Sequence, residues 1–260
     1  MRRVSITDLL SKKAKQEAIV MVTAYDAAMA RLVDEAVDSI LVGDSLGMVV
    51  QGHDTTLPVT LDEIVYHTRM VMRGSARAFV VADLPFLSYQ ASVEDAVRAG
   101  GRCLKEGGAQ GVKIEGGAAF APHVKALAGC GIPVVGHLGL TPQSIHALGG
   151  FGKQAKSDDG ARKLMEDALA LQEAGAAMIV LENIPHALAA EVSARLVIPT
   201  VGIGAGGRCD GQVQVFHDLF GLIPDFTPRH AVRYGNCGEA IRAAIAEYAN
   251  DVRQKKFVSQ

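Results

Sequence analysis

Short apolar runs alternate with amphipathic stretches along almost the whole chain, and no two runs are joined by a tight Asn-Gly or Gly-Gly turn of the hairpin kind. The runs are residues 19–23, 40–43, 79–82, 111–116, 133–136, 178–181 and 199–203, with 212–216 as the least distinct. Strands that cannot form hairpins pair in parallel and need crossover helices between them. Eight such units in 260 residues point to an α/β chain closed into a (β/α)8 (TIM) barrel, in preference to an open doubly wound sheet.

The helix signals agree with this spacing. Residues 4–13 read as a short leading helix, and 27–37 as the first crossover. Thr60-Leu61-Asp62-Glu63 has capping-box spacing, and Leu61, Ile64, Val65, Thr68, Val71 and Met72 trace one helical face. Ser92-Val93-Glu94-Asp95 opens the next helix in the same way, and Gly107-Gly108 stops it. Thr141-Pro142 pairs an N-cap candidate with proline at the first helical position. Ala161, Leu164, Met165, Ala168 and Leu169 form another amphipathic face, and further helices are expected near 122–127, 186–196 and 239–250. The stretches 46–59 and 149–157 read as loops.

Apolar residues make up 49 %, ample for one large core, and no low-complexity linker interrupts the chain, so a single catalytic barrel domain over 1–260 is expected. A net charge of −2 offers nothing to nucleic acid or an anionic membrane. Cys103, Cys130, Cys209 and Cys237 have neither CxxC nor metal-ligand spacing, which suits reduced thiols in the cytoplasm. Met1-Arg2-Arg3 is followed by Ser5, Thr7, Asp8 and Ser11 instead of an apolar segment, so neither a signal peptide nor a membrane span is expected.

Ionisable residues recur at the ends of the apolar runs. Asp44-Ser45 follows the second, Asp83 the third, and Glu182 the sixth; the fourth carries Lys113 and Glu115, and the fifth ends at His137. In a strand Lys113 and Glu115 point the same way, opposite to Val112 and Ile114. Opposite charges inside an apolar segment are costly to bury unless paired or bound to something. In a barrel, all these residues fall on the carboxyl-terminal face, where active sites are built.

Two like charges about 4 Å apart repel by roughly 4 kcal/mol at an effective dielectric near 20. Asp44, Asp83, Glu115 and Glu182 crowded together could not all stay ionised with Lys113 as the counter-charge. Either some are protonated or a cation sits among them. Carboxylate oxygens without thiolates or clustered imidazoles favour Mg2+, which leaves positions open for a substrate. An open site of that kind suits a 2-oxo acid, whose carboxylate and keto oxygens can chelate and whose neighbouring carbon then becomes acidic. Glu182 is the candidate base, and Lys113 would neutralise the substrate carboxylate or the enolate. His137 is left between touching substrate and bracing the site. Residues 202–207 are glycine-rich, yet fit neither GxGxxG nor the P-loop; a tight turn permitting close backbone approach is the preferred reading. The remaining histidines show no metal spacing, and no serine nucleophile elbow occurs.

The same residues carry a resemblance. Val42-Gly43-Asp44-Ser45-Leu46-Gly47-Met48, Gly52-His53-Asp54-Thr55-Thr56-Leu57-Pro58-Val59-Thr60, Ala82-Asp83-Leu84-Pro85-Phe86, Val112-Lys113-Ile114-Glu115-Gly116, Gly136-His137-Leu138-Gly139-Leu140-Thr141-Pro142-Gln143 and Leu181-Glu182 resemble the ketopantoate hydroxymethyltransferase family. So do the later Gly202-Ile203-Gly204-Ala205-Gly206, Asp210-Gly211-Gln212-Val213 and His217-Asp218, and the likeness runs in family order from about residue 4 to 248. The resemblance implies a Mg2+-dependent barrel enzyme of pantothenate (coenzyme A precursor) biosynthesis. It would transfer a hydroxymethyl group from 5,10-methylenetetrahydrofolate to 3-methyl-2-oxobutanoate, giving 2-dehydropantoate and tetrahydrofolate. It further implies Asp44, Asp83 and Glu115 as metal ligands, Asp44, Ser45, Asp83 and Lys113 as oxo-acid contacts, and Glu182 as proton acceptor. A cytoplasmic homodecamer of two stacked rings is the family's usual assembly. One departure is visible: where the family usually has Gln-Gly-Arg, this chain has Gln154-Ala155-Lys156.

Two rivals need weighing. A lyase or mutase of the phosphoenolpyruvate mutase/isocitrate lyase type also holds Mg2+ and a 2-oxo acid in a barrel, but is expected to carry a gating-loop cysteine in a Lys-Lys-Cys-Gly-His run, which this chain lacks. A non-catalytic metabolite-binding barrel would not need Glu182.

Overall fold

The structure is a computed structural model that describes residues 2–225, 228 and 231–256. The chain forms two compact units, Met1–Val213 and Gln214–Gln260. The first carries α1 (Ile6–Ala14), β1 (Ile19–Thr23), α2 (Ala27–Val33), β2 (Ser39–Val42), α3 (Leu46–Val49), α4 (Leu61–Gly74), β3 (Phe79–Asp83), α5 (Val93–Lys105) and β4 (Gly111–Glu115). It continues with α6 (Ala121–Gly129), β5 (Val134–Gly139), α7 (Ile145–Leu148), α8 (Asp158–Glu173), β6 (Met178–Glu182), α9 (His186–Arg195) and β7 (Thr200–Ile203), and β8 (Gly211–Gln214) starts within it. The second holds α10 (Phe216–Phe220) and α11 (Cys237–Arg253).

The strands pair in parallel and in chain order, β1 through β8, as one closed barrel. This is the (β/α)8 architecture that the alternation requires. Runs such as Phe79–Asp83 and Gly111–Glu115 are buried at every position, because one face meets the barrel interior and the other the helices. Inside lie Met21, Leu41, Val81, Val135, Met178, Val180 and Val201. Between sheet and helices lie Ile64, Val65, Leu127, Leu164, Leu171 and Val192.

Helix starts follow local chemistry. Thr60 accepts from the Glu63 N–H while the Glu63 carboxylate accepts from the Thr60 N–H, a complete capping box. Ser92 caps α5 through the Asp95 N–H, and Ser157 caps α8 through the Gly160 N–H.

Several sequence expectations shift. The stretch read as a loop at 46–59 begins with the one-turn helix α3. The helix expected to reach residue 37 ends at Val33, because Asp34 is drawn into a bond network with the turn before β3. Its carboxylate accepts from the Ser75 hydroxyl and the N–H groups of Ala76, Arg77 and Ala78. Thr141 makes no side-chain cap, and Pro142–Ser144 is a turn of 3-10 helix. The link between β7 and β8 has no helix. Gly204 and Gly206 have φ of 62° and 86°, and a Cβ on Gly206 would lie 2.7 Å from the His186 ring, so the glycine-rich run is a tight turn with close backbone approach.

The amino-terminal end of the barrel is braced by charge. Lys12 pairs with Asp38 at 3.0 Å and Lys13 with Asp210 at 2.8 Å. Asp38 also accepts from the Val20 N–H, and Asp210 from the Thr200 N–H and hydroxyl. The four cysteines are free. Among the described residues no helix is long and apolar enough to cross a membrane.

Candidate active site

Parallel register brings the strand-end residues into one layer. Asp83 on β3 lies beside Lys113 on β4, Glu115 beside His137 on β5, and Gly139 of β5 beside Glu182 on β6. Asp44 follows β2 by two residues, and its N–H donates to Asp83 Oδ2 at 2.9 Å. Asp44, Asp83, Lys113, Glu115 and His137 are each no more than 3 % exposed, far too buried for ions that lack partners.

The partners form a chain. Lys113 Nζ lies 2.8 Å from Asp83 Oδ1 and 3.7 Å from Glu115 Oε1. His137 Nδ1 lies 3.3 Å from Glu115 Oε1, and its Nε2 lies 3.1 Å from Glu182 Oε2. Glu182 thereby joins the cluster through His137. Ser45 stands at the edge, its hydroxyl 2.9 Å from the Tyr25 hydroxyl. All the residues singled out from the sequence are thus brought to one end of the barrel, with His137 in the bracing position between Glu115 and Glu182.

Their titration follows from this geometry. Burial alone would discharge Lys113, but Asp83, Glu115 and Asp44 hold its pKa above the ordinary lysine range. Burial and the Lys113 ammonium both oppose a charged His137, yet Glu115 and Glu182 together hold it up to about 9. Burial also works against ionised Glu115, and the His137 and Lys113 contacts outweigh it, so its pKa is lowered. Asp83 is raised by burial despite Lys113. Asp44 is raised furthest, by burial and then by the neighbouring Asp83 and Glu115. Two cations therefore face three buried acids and Glu182, and Asp44 is the acid on which the crowding presses hardest toward the neutral form.

That crowding bears on whether a cation fits. Asp83 Oδ1 and Glu115 Oε1 are buried with the Lys113 ammonium and the His137 ring as their only polar neighbours among the described residues, and the donors are hard carboxylate oxygens. Among the described residues no three His, Cys, Asp or Glu side chains already converge as a metal cage; the Lys113 ammonium lies against two of the three acids. Donor type and charge balance fit a hard divalent cation held by Asp44, Asp83 and Glu115.

Two residues of this site are absent from the sequence reading. Tyr89, 1 % exposed, accepts from the Glu115 N–H at 3.0 Å. Gln143, within a motif already quoted but not singled out, donates from Nε2 to Asp44 Oδ2 at 2.8 Å and from its backbone N–H to Glu115 Oε2 at 3.0 Å. Neither type announces itself in a sequence, since a tyrosine in a loop and a glutamine after a proline carry no periodicity.

Buried charge collected at the carboxyl-terminal ends of barrel strands marks the chain as an enzyme of the (β/α)8 class. Comparison with known proteins narrows the class, because residues 3–260 match the family model for ketopantoate hydroxymethyltransferase. The chain belongs to this family and is a transferase. It is 54 % identical over 259 residues to the 3-methyl-2-oxobutanoate hydroxymethyltransferase of Moorella thermoacetica, covering 99 % of this chain and 96 % of that one. The enzyme of the same name from Syntrophotalea carbinolica is 52 % identical, with 98 % and 96 % covered. Among solved structures, a phosphonomutase-like protein from Burkholderia cenocepacia J2315 superposes with a TM-score of 0.65 at 14 % identity, covering 81 % of this chain and 92 % of the other. Phosphoenolpyruvate phosphomutase from Streptomyces platensis gives 0.63 at 14 % identity, with 98 % and 92 % covered. These likenesses show the shared barrel fold.

Proposed function

We propose that this chain transfers a hydroxymethyl group from 5,10-methylenetetrahydrofolate to 3-methyl-2-oxobutanoate, giving 2-dehydropantoate and tetrahydrofolate. The names of its relatives support the oxo acid as acceptor. The observation that carries the reading is the buried chain Asp83–Lys113–Glu115–His137–Glu182. A carboxylate at one end and a fixed positive charge further in support this reading, because deprotonation beside a carbonyl calls for a base and a stabilising charge.

Lys113, the one ammonium within the acid cluster, would meet the oxo-acid carboxylate or the charge developing on its keto oxygen. Ser45 and the Asp44 and Asp83 region would orient the same substrate. Glu182 would remove the proton from C3, with His137 fixing the carboxylate from its inner side. Asp44, Asp83 and Glu115 would hold Mg2+, which supplies positive charge that makes the carbon next to the ketone more acidic. The same reading makes the enzyme a cytoplasmic homo-oligomer, a decamer by family habit. Ile241, Ile245, Tyr248 and Val252, 45–60 % exposed along α11, form a stripe of the kind oligomers bury.

The test is exchange of the C3 proton of 3-methyl-2-oxobutanoate in D2O, with Mg2+ and with EDTA. Metal-dependent exchange by the wild-type chain is expected, and its absence would sink the deprotonation reading. Glu182→Gln should still bind the oxo acid and lose exchange by about 100-fold or more; normal exchange would remove Glu182 from the role of base.

A further inference from the structure

Gln143 is 5 % exposed, and both its side-chain amide nitrogen and oxygen have partners. Its two amide protons go to Asp44 Oδ2 at 2.8 Å and the Leu84 carbonyl at 2.9 Å. Its carbonyl oxygen accepts from Gln90 Nε2 at 2.8 Å and lies 3.0 Å from the Tyr89 hydroxyl, whose single proton it shares with the Glu115 carbonyl at the same distance. A flipped amide would set its oxygen against the Asp44 carboxylate and the Leu84 carbonyl. The amide orientation is therefore determined by its surroundings.

The acids around it show a common pattern. Each carboxylate has one oxygen held by a neutral N–H: Asp44 Oδ2 by the Gln143 side chain, Glu115 Oε2 by the Gln143 backbone, and Asp83 Oδ2 by the Asp44 backbone. The oxygens left over include the buried Asp83 Oδ1 and Glu115 Oε1, which face the Lys113 ammonium and the His137 ring and no neutral donor. One residue thus holds two of the three acids, which come from β2 and β4. Tyr89 ties this anchor to the backbone of Glu115, accepting from its N–H.

We infer that Gln143, oriented by Tyr89 and Gln90, is a positioning residue that sets which oxygens of Asp44 and Glu115 face the reaction space and how far apart they stand. The inference rests on the proposed function in taking those acids as the cation and oxo-acid site. Removing the side-chain amide leaves the charges in place but frees Asp44 to rotate. The effect is a loss of ligand geometry without loss of ligands.

The test compares the full-length wild type, Gln143→Met and Tyr89→Phe. Mn2+ affinity is read by electron paramagnetic resonance, 3-methyl-2-oxobutanoate affinity by calorimetry, and folding by the thermal midpoint. Gln143→Met should weaken Mn2+ by about tenfold or more, as loss of a ligand-orienting partner does elsewhere. It should raise KM for the oxo acid more than it lowers kcat, a split that general destabilisation would not produce. Folded Gln143→Met with wild-type affinities for both ligands would overturn the inference. Should Gln143→Met fail to fold, Tyr89→Phe decides, since it keeps the ring and removes the hydroxyl. Weakened Mn2+ binding by this variant supports the positioning role and unchanged binding overturns it. Wild-type protein that binds no Mn2+ would instead sink the metal reading, and the oxo-acid affinities would then judge Gln143 alone.

Discussion

Ala155 has a φ of 54°, a left-handed backbone that costs a residue with a Cβ about 1–2 kcal/mol and glycine almost nothing. It stands in the stretch where the family pattern usually has glycine, so the departure visible in the sequence has a conformational cost. Ala155→Gly should raise stability by about 0.5–1 kcal/mol, the relief of strain exceeding the added freedom of the unfolded chain. Urea unfolding measures this, and a destabilised variant would contradict it. The residues whose gathering at one end of the barrel was legible in the sequence are charged and end or interrupt apolar runs. Asp44, Asp83, Lys113, Glu115 and Glu182 stand out because burying them needs a reason. Tyr89 and Gln143 did not stand out, because their contacts with the acids are bonds between segments far apart in the chain.

At the level of elements, the pairing of β5 with β6 places Glu182. Gly139 has a φ of 94°. A Cβ there would run into the Glu182 carbonyl oxygen and lie 2.7 Å from Ile184 Cγ2. The next residue, Leu140, donates its N–H to that same carbonyl at 2.8 Å. Gly139→Ala must therefore push the end of β6 outward and carry Glu182 with it. A shift of about 1 Å can cost on the order of 100-fold in rate, and C3 proton exchange should show that loss while circular dichroism still reports a folded barrel. Exchange at the wild-type rate would mean that the strand end absorbs the methyl group. The sequence located β1, β3, β4 and β6 to within a residue, because long apolar runs bounded by turn residues admit little else. The four-residue α3 has no such signature, and the early end of α2 depends on Asp34 meeting a turn some 40 residues away.

For the molecule as a whole, the acid cluster is a local excess of buried negative charge that ligand binding would relieve. Mg2+ and 3-methyl-2-oxobutanoate should each add about 2.7 kcal/mol at about 100 times its dissociation constant. For a chain of this size that is roughly 5–10 °C in apparent unfolding midpoint for each ligand. A thermal scan with and without the two ligands checks the rise, and Asp83→Ala should abolish most of it. An unchanged shift in that variant would count against Asp83 as a ligand. The closed parallel barrel itself was legible from alternation alone, since parallel strands need crossovers and eight of them close readily. The glycine-rich link from β7 to β8 was legible as a tight turn, whereas its packing against His186 was not, because that contact joins segments distant in the chain.

The braces at the opposite mouth of the barrel have a practical corollary. Asp38, Asp210, Lys12 and Lys13 clamp the strand beginnings, while catalysis is assigned to strand ends about four or five residues further on, roughly 13–17 Å away. Perturbations that far apart and without shared partners combine almost independently. Robustness and turnover can accordingly be engineered as two separate dials, one at each rim.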